Sequence, residues 1–236
     1  MTMTALLDLE HRLRTEEVAQ WDRANPGTLT GKYQWTGTTP SGLTVLRKIA
    51  FPNMVAELNA WEARQLVWNE EAAYIVGKVM RIDDLLTPCI ARRLAIDEFA
   101  PWVLDVSYQV FDLEADHATS IDELDEHDCI RALAFDLVIR NKDRRLGNLM
   151  VRPDGKMLLI DHAASFYKWV QFPWHRALHA RYAGAELPQD VLDGLDALLA
   201  FLPDRVFELL DGASVGRMRA RAKILREAGR IVAVES

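Results

Sequence analysis

The sequence predicts an α+β fold of two lobes, a small β-rich N-lobe over residues 1–111 and a larger α-helical C-lobe over 112–236. Three observations carry this. Long runs rich in Val, Ile, Leu, Tyr and Trp with strand character fall within 31–50 and 87–111. An acidic stretch poor in Pro and Gly, 112–128, separates them from the second half of the chain. From 127 onward the apolar spacing is helical, interrupted by one short hairpin.

Residues 4–24 read as a helix stopped by Asn25-Pro26-Gly27. "GKYQW" (31–35) and "LTVLRKIA" (43–50) read as two strands, joined into a hairpin by "TGTTPSG" (36–42). Asn53 is placed to cap a helix running from 54 to 80, with Ala73, Val76 and Met80 at helical spacing. "TPCIARRLAI" (87–96) and "WVLDVSYQVF" (102–111) supply two further strands. A helix over 127–140 places Ile130, Leu133, Leu137 and Val138 on one face. Turn and cap signals at 186–190, 202–204 and 211–214 divide the helical C-terminal region.

Composition narrows the function. A formal net charge of −7 disfavours nucleic acid as the main partner, because an anionic surface repels the phosphate backbone. The two cysteines, Cys89 and Cys129, form no CxxC and no disulfide framework, which points to a reducing compartment. No apolar run approaches a transmembrane segment, and the acid-bearing N-terminus lacks a signal-peptide cleavage site. These features read as a cytoplasmic protein.

The chemistry concentrates in 140–166. "RNKDRRLGN" (140–148) surrounds Asp143 with Arg140, Lys142, Arg144 and Arg145 and ends in Asn148. "LMVR", "PDGK" and "MLLI" come next as strand, turn and strand, and then Asp161. With 153–156 as a four-residue loop, Arg152 faces Met157, Leu149 faces Ile160, and Asn148 faces Asp161 at about 5 Å between Cβ atoms. Asp143, Asn148 and Asp161 then converge at the open end of the hairpin. Carboxylate and amide oxygens suit Mg²⁺, which takes few protein ligands and completes its shell with water and substrate phosphates. A phosphoryl transferase needs this set: one Asp for the acceptor hydroxyl, and an Asn and a second Asp for metal. The alternative for 140–148 is a solvated, capped turn.

"FDLVIRNKDRRLGNLMV…GKMLLIDHAASF" (135–166) resembles the catalytic core of the phosphatidylinositol-kinase-like and HipA-like kinases, with their N-x-D-R-H-x-x-N loop and I-D-x-G-x-x-F segment. The core resembled is that of type II phosphatidylinositol 4-kinases. The resemblance implies a protein-kinase-like version of the two-lobed fold. It implies Asp143 as the catalytic aspartate, Asn148 and Asp161 as metal ligands, and Asn141 and Asp136 as supports of the loop. Arg145 stands where the family usually has His, and Ala163 where it usually has Gly.

A kinase also needs a cation on the nucleotide phosphates and an acid to hold it. "VLRKI" puts Lys48 on the second strand with Arg47 on the opposite face; "NEEAAY" puts Glu70 on the following helix, with Glu71 as its rival. "EEAAYIVGKVM…LTPCIARR" resembles the corresponding helix and strand of the family. Gly37, Ser41 and Gly42 form the hairpin tip that would cover phosphate through N–H groups and hydroxyls. Gln109 and Val110 take the position of the adenine hinge. The resemblance is loose over 43–95 and absent over 1–30 and 190–236.

The function this implies is a Mg²⁺-dependent kinase using ATP or GTP. The first acceptor is Ser or Thr of a protein, since the chain has no membrane-anchoring helix, lipidation motif or polybasic block. A phosphoinositide headgroup or other small hydroxyl compound is second, and a nucleotide-binding regulator without transfer activity is third. His175 and His179 stand at i, i+4 spacing, a possible but acid-poor metal pair. The acid-free segment 162–185 carries Lys168, Arg176, Arg181, Trp169 and Trp174 where kinases read substrate. The basic C-terminal "RMRARAKILREAGR" reads as a solvated helix face.

Overall fold

The computed structural model describes residues 3–24, 34–50, 60–96, 101, 103–111, 114–166 and 176–233. Two units emerge, Met1–Glu71 with Thr87–Leu113, and Ala72–Leu86 with Glu114–Ser236. Residues 72–86 thus group with the second unit, whereas the sequence reading carries the first lobe unbroken to 111.

The first unit holds helix α1 (Met3–Thr15), strands β1 (Asp22–Arg23), β2 (Gln34–Thr38) and β3 (Thr44–Ala50), the first part of helix α2 (Ala60–Val79), and strands β4 (Cys89–Ala95) and β5 (Val103–Val110). The strands form one antiparallel sheet in the order β1-β2-β3-β5-β4. Successive strand residues point to opposite faces. One face carries Val45, Ile49, Ile90, Leu104 and Val106, packed with Leu13 of α1 and with Trp21 and Trp35. The other carries Lys48 and Ala50, and Ala50 packs on Val67 and Trp68 of α2. Residues 51–59, including Asn53 and its expected cap, lie outside the described residues.

The N-terminal helix stops at Thr15, well short of the expected 24. Tertiary pairing overrides helical spacing here. Asp22 and Arg23 pair with Thr36 and Trp35, and Trp21 stacks on Tyr108 with ring centroids 5.6 Å apart. Gly37 permits this path, since a Cβ there would lie 2.3 Å from Val18 Cγ1 and 2.7 Å from the Gln20 carbonyl oxygen.

In the second unit, α3 (Glu126–Ile139) is N-capped by Asp125, whose carboxylate accepts from the Asp128 N–H. Its residues from Cys129 to Ile139 are all buried, so the helix is central and has no solvated face along that length. Strands β6 (Asp116–His117), β7 (Leu149–Val151) and β8 (Met157–Leu159) form a small antiparallel sheet in that order. Helices α4 (Arg176–Tyr182), α5 (Gln189–Ala200), α6 (Asp204–Leu209) and α7 (Gly212–Ala228) complete the unit. Val215, Met218, Ala222 and Leu225 give α7 a buried stripe at helical spacing, and α7 packs on α3 and α5. Arg221 lies among these buried residues, so the basic C-terminal helix is not a uniformly solvated face. Among the described residues no helix is long and apolar enough to cross a membrane.

The register of the β7–β8 hairpin corrects the expectation. Leu149 pairs with Leu159, Met150 with Leu158 and Val151 with Met157, one residue out from the predicted ladder. The Arg152 N–H donates to the Lys156 carbonyl and the Gly155 N–H to Arg152, so the loop is Pro153-Asp154-Gly155, with Gly155 at φ +79°. The β2–β3 hairpin is built the same way. Thr39 donates to Leu43 and Gly42 to Thr39, around Pro40-Ser41-Gly42, with Gly42 at φ +83°. Proline presets the first turn residue and glycine supplies the left-handed third, which makes a three-residue loop. Asn148 therefore faces Ile160, whose N–H donates to the Asn148 carbonyl, and Asp161 lies one residue further on.

Candidate active site

In the second unit the site is the loop between α3 and β7. Arg140 ends the helix in the left-handed conformation at φ 53°, and the N–H groups of Arg140 and Asn141 both donate to the Asp136 carbonyl. Asn141 is buried, and its Oδ1 accepts from the Asp143 N–H at 3.1 Å, a local turn that presents Asp143. Arg144 braces the loop from inside. Its Nε and Nη2 donate to the two Asp136 carboxylate oxygens at 2.8 and 3.1 Å. Its Nη1 donates to the carbonyls of Asn148 at 2.6 Å and Ile160 at 2.8 Å. One side chain thus ties the central helix to both strands at the hairpin mouth. Asp136 and Asn141 do contact the loop, as the resemblance implies. Arg144 falls on the arginine of the N-x-D-R-H-x-x-N pattern, a position to which the sequence reading gave no role.

Asn148 Nδ2 donates to the Asp143 carbonyl at 2.5 Å, which leaves the amide oxygen as its remaining polar atom. The Asp143 side chain is 29% exposed and lies 3.6 Å from Arg145 Nε, so the residue in the family's histidine position pairs with the aspartate. Asp161 is half-buried and adopts φ 58°, an uncommon left-handed backbone for a non-glycine residue and a feature enriched at functional sites. Asp161 follows Ile160, whose carbonyl shares Arg144 with that of Asn148. The loop thus brings Asp143, Asn148 and the backbone at Ile160 together, although Asn148 and Asp161 are not cross-strand partners.

In the first unit, Lys48 Nζ donates to Glu70 Oε1 at 2.5 Å, with the acid buried and the lysine nearly so. Glu71 is engaged elsewhere. Its Oε2 accepts from the Ala91 N–H at 2.8 Å and its Oε1 lies 3.5 Å from Arg14. Arg47 is buried on the opposite face, 4.3 Å from the Trp21 ring centroid and 5.0 Å from that of Trp35. Burial and the Glu70 and Glu71 charges push the Cys89 thiol well up, away from nucleophilic use.

The hairpin tip is held by the N-terminal segment. Ser41 Oγ donates to Glu16 Oε2 at 2.5 Å and accepts from Arg12 Nε at 3.0 Å. Hydrogen bonds from Ser41 and Thr39 hold the Glu16 carboxyl down at about 2. Gly37 serves the close packing with Val18 and Gln20, and Gly42 the turn. Gln109 is buried, with Nε2 donating to Thr87 Oγ1 at 2.7 Å. The N–H groups of Val110 and Phe111 already donate to the carbonyls of Pro88 and Thr44.

His179 lies on α4, while His175, Lys168, Trp169 and Trp174 lie outside the described residues. Arg181 donates to Asp122 in an exposed ion pair.

Asn148 offers an amide oxygen and Asp161 a carboxylate, with the His162 imidazole next in the chain; the two oxygens are donor types that suit the few-ligand coordination Mg²⁺ or Mn²⁺ takes beside phosphates.

No protein-family model matches the sequence, and no curated protein matches it. Solved structures do. The Golgi casein kinase is similar at a TM-score of 0.62 and 13% identity, covering 97% of this chain and 76% of that one. A structure of the Golgi casein kinase with Mn/ADP bound gives 0.61 and 13%, with the same coverage. The choline kinase LicA from Streptococcus pneumoniae gives a TM-score of 0.37 and bears no weight. At these identities the likeness concerns the fold, and that fold is α+β and protein-kinase-like.

Proposed function

We propose that this chain is a divalent-cation-dependent kinase that transfers the γ-phosphoryl group of ATP or GTP to a hydroxyl, with Ser or Thr of a protein as the first acceptor. One observation carries the reading. The loop 140–148 is braced by the buried Arg144–Asp136 pair and by Asn148 on the Asp143 backbone. The Asp143 carboxylate is needed for none of those braces. The Lys48–Glu70 pair supports the same reading. So does the Mn/ADP-bound state of the Golgi casein kinase, whose fold this chain shares.

In this reading Lys48 positions the nucleotide phosphates and Glu70 holds Lys48. Asp143 orients the acceptor hydroxyl and takes its proton as the oxygen–phosphorus bond forms and the bond to the β-phosphate oxygen breaks. Asn148 and Asp161 hold the cation, which when bound neutralises phosphate charge. Most of the rate comes from positioning and charge stabilisation. The motifs at 135–166 resemble the phosphatidylinositol-kinase-like and HipA-like cores, with Arg145 where that family usually has histidine.

Incubation of the purified protein with labelled ATP, Mg²⁺ or Mn²⁺ and a generic protein substrate tests the proposal. Label on protein supports it as stated. Label only on added phosphoinositide or small hydroxyl compounds keeps the kinase and replaces the acceptor. Nucleotide binding without transfer to any acceptor overturns it in favour of a regulator.

A further inference from the structure

A cavity of about 300 Å³ lies within the first unit, on the sheet face opposite Lys48. That volume is at the lower end for sites that hold small ligands. Its walls come from the end of α1 and the segment after it, the β2–β3 hairpin, and strands β4 and β5. Leu13, Val18, Val45 and Leu94 line it with aliphatic surface, and the stacked Trp21 and Tyr108 rings complete the apolar wall.

Two charged side chains line the same cavity, and neither has an ion-pair partner among the described residues. Arg92 is fixed by Nη2, which donates to the Leu13 carbonyl, and by Tyr108, whose ring centroid lies 5.3 Å from Cζ. Its Nε and Nη1 make no hydrogen bond to any described residue. Burial lowers its pKa, and the Glu71 carboxylate, which pairs with Arg14, offsets that only in part. Glu17 is exposed and makes no hydrogen bond or ion pair to the described residues, whereas Glu16 beside it is held by Arg12 and Ser41. Arg92 and Glu17 thus share one small cavity without pairing to each other. A ligand that satisfies both carries a carboxylate for the guanidinium and an ammonium for the carboxylate, and the remaining walls suit an aliphatic body.

We propose that this cavity binds a small zwitterion with an aliphatic side chain, of the α-amino acid class, its carboxylate on Arg92 and its ammonium on Glu17. Charge-assisted hydrogen bonds at the two ends fix its orientation, and the aliphatic and aromatic walls take its side chain. Glu16 and Thr39, which hold the hairpin tip through Ser41, line the same cavity, so the bound ligand also stiffens the tip. The site lies in the first unit alone and does not depend on the kinase reading.

The test is a titration of the ¹⁵N-labelled full chain with L-leucine, followed at the Trp21 indole N–H resonance, which Trp21→Phe identifies by its loss. A saturable shift is expected. Isocaproate lacks the ammonium and isoamylamine lacks the carboxylate, and each should bind at least about tenfold more weakly, the loss expected for a hydrogen bond to a charged group. Glu17→Gln changes an exposed residue that bonds to nothing in the described fold. It should keep the wild-type melting temperature, lose L-leucine affinity by at least about tenfold, and bind isocaproate as wild type does. Arg92→Gln should lose L-leucine likewise; should it fail to fold, Glu17→Gln and the two analogues decide. An unmoved Trp21 resonance at the solubility limit of L-leucine overturns the proposal. So does an analogue that binds as tightly as L-leucine, or an unchanged L-leucine affinity in Glu17→Gln.

Discussion

Arg144 lays its guanidinium across both oxygens of Asp136, Nε at 2.8 Å and Nη2 at 3.1 Å, with both side chains fully buried. Removing one partner of such a pair strands the other's charge. Asp136→Leu and Arg144→Met are each expected to cost about 3–5 kcal/mol of stability. The double variant Asp136→Leu/Arg144→Met is expected to cost less than the sum, because no charge is left alone. Urea unfolding of the four proteins checks this, and strict additivity would show that the pair is not coupled.

Lys48 and Arg47 are adjacent but face opposite sides of the sheet, and the two substitutions should separate in turnover and nucleotide affinity. Lys48→Met is expected to depress turnover and nucleotide affinity steeply, and to lower the urea midpoint as well because it strands the buried Glu70 carboxylate. Arg47→Leu removes a buried cation from between Trp21 and Trp35 and should lower the midpoint while leaving nucleotide affinity unchanged. A turnover loss confined to Arg47→Leu would reverse the assignment.

Strand alternation in the sequence already sets Lys48 against Arg47, and the order of strand, helix and acid brings Glu70 to Lys48. Register and the interior polar bonds are not legible in the same way. "PDGK" gives turn chemistry without saying whether Lys156 belongs to the loop or the strand, and that one residue moves Asp161 out of line with Asn148. Lys142 looks like its neighbours in "RNKDRR", because burial of a side chain in an irregular loop leaves no periodic trace, and the motif that marks Arg144 does not say that it reaches Asp136. The early end of α1 escapes for the same kind of reason. Local spacing favours helix through Ala24, but pairing with β2 and stacking on Tyr108 win.

Acid should loosen the hairpin tip. Glu16 is held at about 2, below its ordinary 4.5, first by Ser41, then by Thr39. A carboxyl with a depressed folded-state value contributes stability above its unfolded value and loses it as pH falls through the folded one. The contribution is therefore full above about 4.5 and fades toward about 2. Amide exchange at Gly42 and Leu43 should accelerate across that window in wild type. In Glu16→Gln it should already be fast at neutral pH and change little there. The partners are solvent-accessible, so added salt should shrink the difference.

Asp161 allows a substitution that changes charge while respecting the backbone. Its φ of 58° is one that asparagine adopts readily and β-branched residues resist. Asp161→Asn should keep its melting temperature and lose cation-dependent nucleotide affinity in a calorimetric titration. Asp161→Val should lose both. Unchanged cation–nucleotide affinity in Asp161→Asn would remove Asp161 from the ligand set.

Asp143 gives the sharpest test, because the loop holds it by its backbone. Asn141 accepts from its N–H and Asn148 donates to its carbonyl, so neither bond involves the carboxylate. The carboxylate's contact is Arg145 at 3.6 Å, a solvent-accessible pair of the kind that contributes at most about 1 kcal/mol. Asp143→Ala should therefore fold with nearly wild-type stability and bind nucleotide and cation as wild type does. Transfer should fall about 10²–10⁴-fold, the usual contribution of a positioned general base. The three readouts separate the possibilities. Loss of transfer alone assigns Asp143 to the acceptor hydroxyl. Loss of nucleotide–cation affinity in proportion to transfer makes it a ligand. If all three stay at wild-type levels, 140–148 is a braced turn without chemistry and the kinase reading fails.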